Sequence, residues 1–285
     1  MTYGLQIVNP SGELVISSDG VGYKYLGVAT LSVSASSTLD YYSGGSGAPP
    51  GGEPYGQVTP YTYMITVPEG TVYPVVGVKV TTTTLVEVVE TWQVMTTLFI
   101  RVNSVNISGA DDITTVSFSA PTIYVFCQHS AADSNHMYGM NLYNASGVLT
   151  FSSNVCPLFV NQHIDFSESD SSSSYVTGYT RTWGPGTYGD GATLVSAGQS
   201  RTWAGISTGI ILGGSGGGEV NAASSESEDL YTKRFGWTYS GNTLIRKPYI
   251  SIKVYRTMIY TDPNVTEGAG VGKQKVLIVD SNNLF

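Results

Sequence analysis

Apolar and polar residues alternate along much of this chain with a period of two. In the stretch from Val75 to Val89, the side chains of Val76, Val78 and Val80 fall on one face of an extended strand. Similar runs rich in Val, Ile, Thr, Tyr and Phe recur along the chain at 61–68, 96–108, 114–128, 248–262 and 275–281. Clusters of Gly, Ser, Pro and Asn separate them, as turns do. The pattern predicts an all-β fold.

A 16-residue sequence near the start of the chain recurs in its second half. "YGLQIVNPSGELVISS" at 3–18 and "YGMNLYNASGVLTFSS" at 138–153 are identical at 8 positions, with an offset of 135. Each copy has two apolar-rich runs joined by a turn, which starts at Asn9 and ends at Gly12 in the first copy, and runs from Asn144 to Gly147 in the second. Asn caps its own turn and Gly accepts a positive φ. We therefore expect two equivalent β-hairpins from an internal duplication.

The duplication and the length predict two domains. A chain of 285 residues corresponds to about two domains at roughly 150 residues each. We expect tandem β-sandwich or jelly-roll-like modules at 1–132 and 137–285, with long Gly/Ser-rich loops. Both modules end alike, with an apolar strand followed by polar residues at 122–130 and 275–283.

Composition and charge narrow the function classes. Charged residues are only 12% of the chain, while Gly (34) and Tyr (20) are abundant, which favours strands and turns over helices. A net charge of −8 argues against a nucleic-acid partner. The start of the chain does not read as a secretory signal, and charged residues interrupt the longest apolar stretch, so membrane insertion is not expected. The two cysteines, Cys127 and Cys156, are expected to be free thiols rather than a disulfide framework.

Motifs for catalysis or cofactor binding are weak. His129, Asp133 and His136 are close in sequence, but their spacing matches no familiar metal-ligand pattern. Glu87, Glu90 and the acidic residues near Asp229 are available as carboxylates for glycoside hydrolysis, but one sequence cannot pair them. We expect no enzyme activity, no metal and no cofactor.

An aromatic-rich repeat is the main binding candidate. "RTWGPGTYGDG" starts at Arg181 and "RTWAG" starts at Arg201, so Trp183, Tyr188 and Trp203 could form a platform for a sugar or a protein. The alternative, which we favour from the residues alone, is that both Trp side chains pack in the core.

A resemblance to a known family rests on the repeated opening. The "YGLQ…N-x-S-G-x-L" sequence, followed by "YKYLGV" at 23–28, resembles the small β-rich tail-fibre and tail-tip proteins of tailed bacteriophages. The second copy, from "MYGMNLYNASG" to "CPLFV" at 156–160, is similar to the same pattern. The resemblance implies a virion structural protein at the distal end of the tail, made in the host cytoplasm. It also implies other tail proteins as partners, a homo-oligomer with a trimer favoured, and contact with a host-surface glycan or protein receptor.

The expected roles of the two modules follow from this resemblance and from loop length. The first module would dock to the particle. The second would carry receptor contacts on the loops at 167–175, 183–191 and 213–229, since long loops on a rigid scaffold usually hold binding residues. Two other functions stay open: a bacterial surface adhesin module and a glycan-active enzyme on a β-scaffold.

Overall fold

The computed structural model describes the strands and many of their connections. The described residues are 6–8, 14–17, 22–42, 53–109, 117–135, 138–166, 199–202, 209–212, 219–223, 230–240, 243–254, 268–269 and 274–284.

These residues form 21 strands and three short 3-10 turns. The strands are β1 (Gln6–Val8), β2 (Leu14–Ser17), β3 (Tyr23–Val28), β4 (Thr30–Val33), β5 (Ser36–Tyr42), β6 (Glu53–Thr59), β7 (Tyr61–Thr66), β8 (Val75–Lys79), β9 (Thr84–Val94), β10 (Thr97–Asn106), β11 (Ile123–Gln128), β12 (Asn141–Tyr143), β13 (Leu149–Ser152), β14 (Gln162–Phe166), β15 (Gln199–Thr202), β16 (Gly209–Leu212), β17 (Glu219–Ala223), β18 (Leu230–Ser240), β19 (Thr243–Val254), β20 (Gly268–Ala269) and β21 (Gln274–Asp280). The 3-10 turns are Ile107–Gly109, Ala131–Ser134 and Ser281–Leu284.

The all-β prediction is confirmed. The described residues contain no α-helix, and their strands are arranged in several antiparallel sheets. Within this described part, no helix is long and apolar enough to span a membrane.

The repeated sequences form equivalent hairpins. In the first hairpin Gln6 pairs with Ser17 and Ile7 with Ile16. In the second, Asn141 pairs with Ser152 and Leu142 with Phe151, so each residue lies 135 positions after its counterpart. Both hairpins have a register shift at the same place, between Ile7 and Val8 in one and between Leu142 and Tyr143 in the other. The sequence repeat is therefore also a structural repeat.

The repeat extends into a six-stranded sheet. Its strand order is β14-β21-β16-β8-β11-β3, so three strands come from each half of the chain and the order is symmetric about the β8–β16 contact. At that contact Gly77 pairs with Leu212, again 135 positions apart (212 − 77). The two halves of this sheet are thus related by a pseudo-two-fold arrangement.

The strand registers of the two halves agree pair by pair. The pairs of β11 with β8 match those of β21 with β16: Tyr124↔Gly77 with Leu277↔Leu212, Val125↔Val76 with Ile278↔Ile211, and Phe126↔Val75 with Val279↔Ile210. Here the central strands are offset by 135 residues and the last strands by 153 (277 − 124). The second half therefore carries 18 additional residues (153 − 135) between these two strands.

The segment that precedes β14 is hydrogen-bonded to β3 and to β21. The backbone N–H of Leu158 donates to the carbonyl of Tyr23 at 2.8 Å, and that of Asn161 donates to Ile278 at 2.8 Å. The segment at 156–166 therefore contacts β3 at its start and continues as β14 beside β21. Tyr23 and Leu158 are again 135 positions apart, so this closing contact also lies on the pseudo-two-fold.

The large sheet has 11 strands, and both ends of its main order belong to one hairpin. The order is β4-β7-β10-β9-β18-β19-β6-β5, with β15, β17 and β20 added to the β18–β19 side. Two residues separate β4 from β5, and one residue separates β6 from β7. The segments 30–42 and 53–66 therefore pair as one long hairpin, and its first arm supplies both end strands, β4 and β5. Its second strand contacts β10 with one half and β19 with the other.

The two large sheets pack against each other through a shared apolar core. Ile100 and Trp237 of the large sheet and Val78 and Val125 of the six-stranded sheet belong to it, all nearly inaccessible to solvent. The predicted shared face of Val76, Val78 and Val80 is confirmed, because all three lie in this core. The opposite face of the six-stranded sheet is also buried, around Phe126.

The strand pairing differs from the expectation of tandem modules at 1–132 and 137–285. Strands from both ranges pair in the same two sheets: β16 joins β8, β19 joins β6, and β18 joins β9. The physical reason is that a strand edge offers the same hydrogen bonds to any partner, and here edges left open by one repeat are paired by the other. The duplication built intertwined halves rather than separate modules.

Candidate interaction surface

A row of large side chains crosses the outward face of the large sheet. Trp92 of β9 pairs with Phe99 of β10, Phe99 pairs with Met64 of β7, and Met64 pairs with Thr30 of β4. These positions lie on the face opposite Leu98 and Ile100, which are in the core. The Trp92 and Phe99 rings are stacked, with centroids 5.1 Å apart and planes 9° apart. Met64 is 41% exposed. We call this row the outer aromatic row.

A charged pair borders the outer aromatic row. Arg101 donates from Nη1 to Glu90 Oε2 at 2.9 Å, and its guanidinium carbon lies 5.0 Å from the centre of the Trp92 ring. Val89 is an extra residue in β9, where the pairing with β10 shifts. Because of this shift, Glu90 and Trp92 lie on the same outward face as Glu87. The pair is about half exposed and carries no net charge. The border adds hydrogen-bonding groups without giving this face a charge preference.

The hairpin tip beside the row holds an exposed residue in an unfavourable backbone conformation. Met95 lies between β9 and β10 with φ of 53° and is 91% exposed. A left-handed conformation costs a non-glycine residue roughly 1–2 kcal/mol. The side chain of Gln93 donates to the carbonyl of Met95 at 2.8 Å and helps to hold this turn. The large apolar side chain of Met95 is thus presented to solvent at the tip of the hairpin.

A shallow groove lies along the other side of Glu90. It has a volume of about 400 Å³ and is lined by Pro74, Val75, Val76, Val88, Val89, Glu90 and Thr91. Most of these residues are apolar, and Glu90 is the one charged residue among them. The groove and the outer aromatic row together make a surface of mixed apolar and polar character, as protein contacts often have.

A buried polar network lies farther along the same face of the sheet. Arg234 donates to both oxygens of Glu87, from Nε at 3.0 Å and from Nη2 at 2.9 Å. The Tyr249 hydroxyl donates to Glu87 at 2.5 Å and accepts from Asn103 Nδ2 at 2.6 Å. Glu87 is 1% exposed. Burial and the neighbouring Glu87 carboxylate raise the pKa of Tyr249 well above its ordinary value. The carboxylate is thus fully engaged, and this network connects β9 and β10 to β18 and β19.

A second buried cluster connects the two repeats through their link. Lys24 of β3 donates to Asp133 Oδ1 at 2.5 Å, and the backbone N–H of Ser130 donates to Asp133 Oδ2 at 2.7 Å. His129 Nδ1 lies 3.8 Å from Asp133 Oδ2, and its ring packs near Phe151 of the second hairpin. The cluster therefore holds the hairpin β12–β13 against the first half of the chain.

The ionisation of this cluster is set by burial and by Lys24. Burial lowers the pKa of His129 below its ordinary 6.5, more than the nearby Asp133 carboxylate raises it. Burial alone would raise the pKa of Asp133, but hydrogen bonds from Lys24 and Ser130 outweigh it and hold that pKa below its ordinary 3.8. At neutral pH the cluster is one ion pair beside a neutral imidazole. Among the described residues, no group of three or more His, Cys, Asp and Glu side chains could hold a metal ion.

Comparison with known proteins places the chain in a family. The model of a family of unknown function, DUF6453, matches residues 81–252, which is more than half of the chain. The chain belongs to this family. No curated protein and no solved structure matches it. The DUF6453 match runs from β9 into β19, so it includes Trp92 and Phe99 of the outer aromatic row and the residues of the Glu87 network, but not Met64 or Thr30.

Only some of the residues singled out from the sequence lie in the described part of the structure. Asn144 caps its own turn: its side-chain Oδ1 accepts from the backbone N–H of Ser146 at 3.0 Å and of Val148 at 2.9 Å, and Gly147 has φ of 75°. Cys127 and Cys156 are free thiols. The equivalent turn residues Asn9 and Gly12, the aromatic candidates Trp183, Tyr188 and Trp203, and the loops 167–175 and 183–191 lie outside the described residues. Within 213–229, only β17 is described.

Sequence reasoning missed the outer aromatic row. Trp92 and Phe99 lie seven residues apart in "TWQVMTTLFIR", on either side of the two-residue connection Met95–Thr96. Had this stretch been interpreted as a hairpin, cross-strand pairing would have placed the two rings side by side. The absence of the usual Asn-Gly turn signal hid it.

Proposed function

We propose that this protein is a non-enzymatic structural component of a bacteriophage tail tip or tail fibre, acting in tail assembly, host-surface attachment or both. The proposal rests on the resemblance of the repeated "YGL" opening to such proteins and on one surface. That surface is the outer aromatic row with its exposed neighbours, which suits a protein that works by contact.

Several features support a contact function over a catalytic one. Glu87 is held by Arg234 and Tyr249, and Glu90 is paired with Arg101, so these two carboxylates already have partners. The duplicated hairpins and shared sheets give an extended antiparallel scaffold, the kind of architecture that presents surface. The groove beside Glu90 is shallow and presents both apolar and polar atoms.

Localisation in the particle tests the proposal directly. Antibodies against the purified chain should label the distal end of the tail in electron micrographs of virions from a phage that encodes it. Labelling of the capsid, or particles free of the protein, would reject the proposal. The matched control is pre-immune serum on the same particles.

Adsorption of variant phage tests the surface. Replacement of Trp92 by Ala should lower the adsorption rate or the yield of complete tails, while replacement of Val148, an exposed residue on the second hairpin, should not. The pair Trp183→Ala and Tyr188→Ala tests the sequence-based expectation that receptor contacts lie on the loops of the second half. Wild-type adsorption and assembly for all of these variants would argue against a contact role for either surface.

A further inference from the structure

His129 is enclosed where the first half of the chain meets the second hairpin, and its ring nitrogens have no partners. The side chain is 0% exposed, and neither Nδ1 nor Nε2 has a hydrogen-bond partner in the described part of the chain. Nδ1 lies 3.8 Å from Asp133 Oδ2, beyond hydrogen-bond distance, and that oxygen already accepts from the backbone N–H of Ser130. Buried polar groups are nearly always hydrogen-bonded, and a neutral imidazole has one donor and one acceptor to satisfy. The site therefore holds a titratable ring that adds no hydrogen bond to the native structure.

The charged groups around His129 do not provide for a second positive charge. Lys24 of β3 and Asp133 of the 3-10 turn act on the ring, and they already neutralise each other in a buried contact of 2.5 Å. Cys127 of β11 lies near the same pair and is a neutral thiol, because burial raises its pKa. An imidazolium here would add an unpaired positive charge to a buried site that already contains the Lys24 ammonium.

The second hairpin packs directly on this ring. Its Phe151 ring lies near the imidazole, with centroids 6.2 Å apart. The carbonyl of Thr150 comes so close to Gly22 that a Cβ on Gly22 would overlap the oxygen, and the same Cβ would lie 3.0 Å from His129 Cδ2. Neither Phe151 nor the Thr150 carbonyl titrates. The hairpin therefore closes the site tightly and brings no charge that could offset an imidazolium.

The second hairpin is weakly attached to the rest of the fold. Among the described strands, β12 and β13 pair with each other and with no strand of the two large sheets. Side chains make the contacts to the link: Ser152 Oγ donates to the carbonyl of Asp133 at 3.0 Å, and Asn141 Nδ2 donates to that of Ser134 at 3.4 Å. Backbone hydrogen bonding to β3 follows after the hairpin, at Cys156. A two-stranded hairpin on its own is marginally stable, so this element can separate and lose its order while the chain after it stays anchored.

We infer that the second hairpin is an acid-released element: protonation of His129 frees residues 140–153 from the first half of the chain while the two large sheets stay paired. Water solvates the imidazolium better than this site does, and release of the hairpin admits water with few broken contacts. The attached state is fully favoured above pH 6.5. Its advantage is lost as the pH falls from 6.5 through the pKa of His129 in the attached state, which burial lowers. Asp133 stays ionised in this range, because hydrogen bonds from Lys24 and Ser130 hold its pKa below the ordinary 3.8.

Hydrogen exchange of the full chain, followed by mass spectrometry between about pH 7.5 and about pH 5, measures the release. Exchange rates are divided by the chemical rate at each pH, so that the ratio reports opening alone. For one proton, the opening constant rises by up to about tenfold per pH unit below 6.5. We expect the protection of peptides within 140–153 to fall about tenfold, while that of β10 changes less than about twofold. An equal loss in β10 would mean global unfolding, and no loss in 140–153 would mean no release; either result would overturn the inference.

Two variants at His129 assign the release to this ring. His129→Phe keeps a flat ring and breaks no hydrogen bond of the described structure, because neither ring nitrogen has a partner. It should keep the hairpin protected at pH 7.5 and abolish the loss at low pH. His129→Leu removes the same titratable group with a smaller side chain and should behave alike. His163→Gln, a change at a histidine of β14 outside the cluster, should retain the wild-type loss. An acid loss of protection that persists in both His129 variants, or that disappears in His163→Gln, would contradict the assignment.

Discussion

The Glu87 network should contribute far more stability than a chemically similar pair on the same face of the sheet. The test replaces Glu87 by Gln, which keeps the shape of the side chain and removes its charge. Glu87 is buried and accepts two hydrogen bonds from Arg234 and one from Tyr249. Glu90→Gln, which acts on the half-exposed pair with Arg101, is the matched control.

The magnitude follows from the number and burial of the bonds. A hydrogen bond to a charged group contributes about 1.5–3 kcal/mol, against about 0.5–1.5 kcal/mol for a neutral one. In Glu87→Gln the acceptor for Arg234 is neutral, and one of the two Arg234 donors faces an amide nitrogen that cannot accept. These changes predict that the free energy of unfolding falls by about 2–4 kcal/mol. Exposed ion pairs contribute about 0–1 kcal/mol, so Glu90→Gln should cost less than about 1 kcal/mol.

Urea unfolding followed by tryptophan fluorescence provides the assay, because Trp237 lies in the core between the two sheets. The m-value should be the same for the wild type and both variants, so that the midpoint shift reports stability. Equal costs for the two variants, or a cost below about 1 kcal/mol for Glu87→Gln, would refute the idea that this network joins β9 to β18.

Three further expectations concern the hairpin tip at Met95 and two ionisable groups of the buried cluster, His129 and Asp133. Met95→Gly should raise the free energy of unfolding by about 0.5–1 kcal/mol, since Gly accepts the positive φ with little strain; no gain in urea unfolding would show that the tip is not strained. The folded-state pKa of His129 is below its unfolded 6.5, so its contribution to stability is complete above pH 6.5 and is lost as the pH falls through the folded pKa; thermal melts should show this loss, and His129→Gln should remove it. Asp133 likewise has a lowered pKa, so its contribution is present above its ordinary 3.8 and is lost as the pH falls through the folded value. Lys24→Met should reduce that acid-dependent component, and an unchanged acid profile would exclude the Lys24 pair as its source.

The pseudo-two-fold arrangement gives the two halves of the chain a shared structural role. In the six-stranded sheet, each half supplies one outer, one central and one intermediate strand, with matching registers. The 18 additional residues of the second half fall between its central and last strands. The Gly77–Leu212 contact lies at the centre of this sheet, and a Cβ on Gly77 would come within 2.5 Å of Ile210. The two halves thus approach each other closely where they meet.

Local pattern by itself determined the strand character of the chain and the repeated hairpin. Period-two alternation placed Val76, Val78 and Val80 on one face, because successive side chains of a strand point to opposite sides whatever the neighbours are. The identities at an offset of 135 predicted equivalent hairpins, because turn residues such as Asn144 act through their own backbone neighbours. Both effects act over a few residues, so a sequence displays them directly.

Only the tertiary structure decided which strands pair and which side chains meet. Alternation shows which face of a strand is apolar but not which strand lies beside it, since backbone edges are chemically alike. The expected division at 133–136 therefore gave way to sheets shared by both halves. The Glu87–Arg234 and Lys24–Asp133 pairs join residues 147 and 109 positions apart in the chain. Such pairs form because intertwined strands bring buried charges together, and no local pattern encodes that meeting.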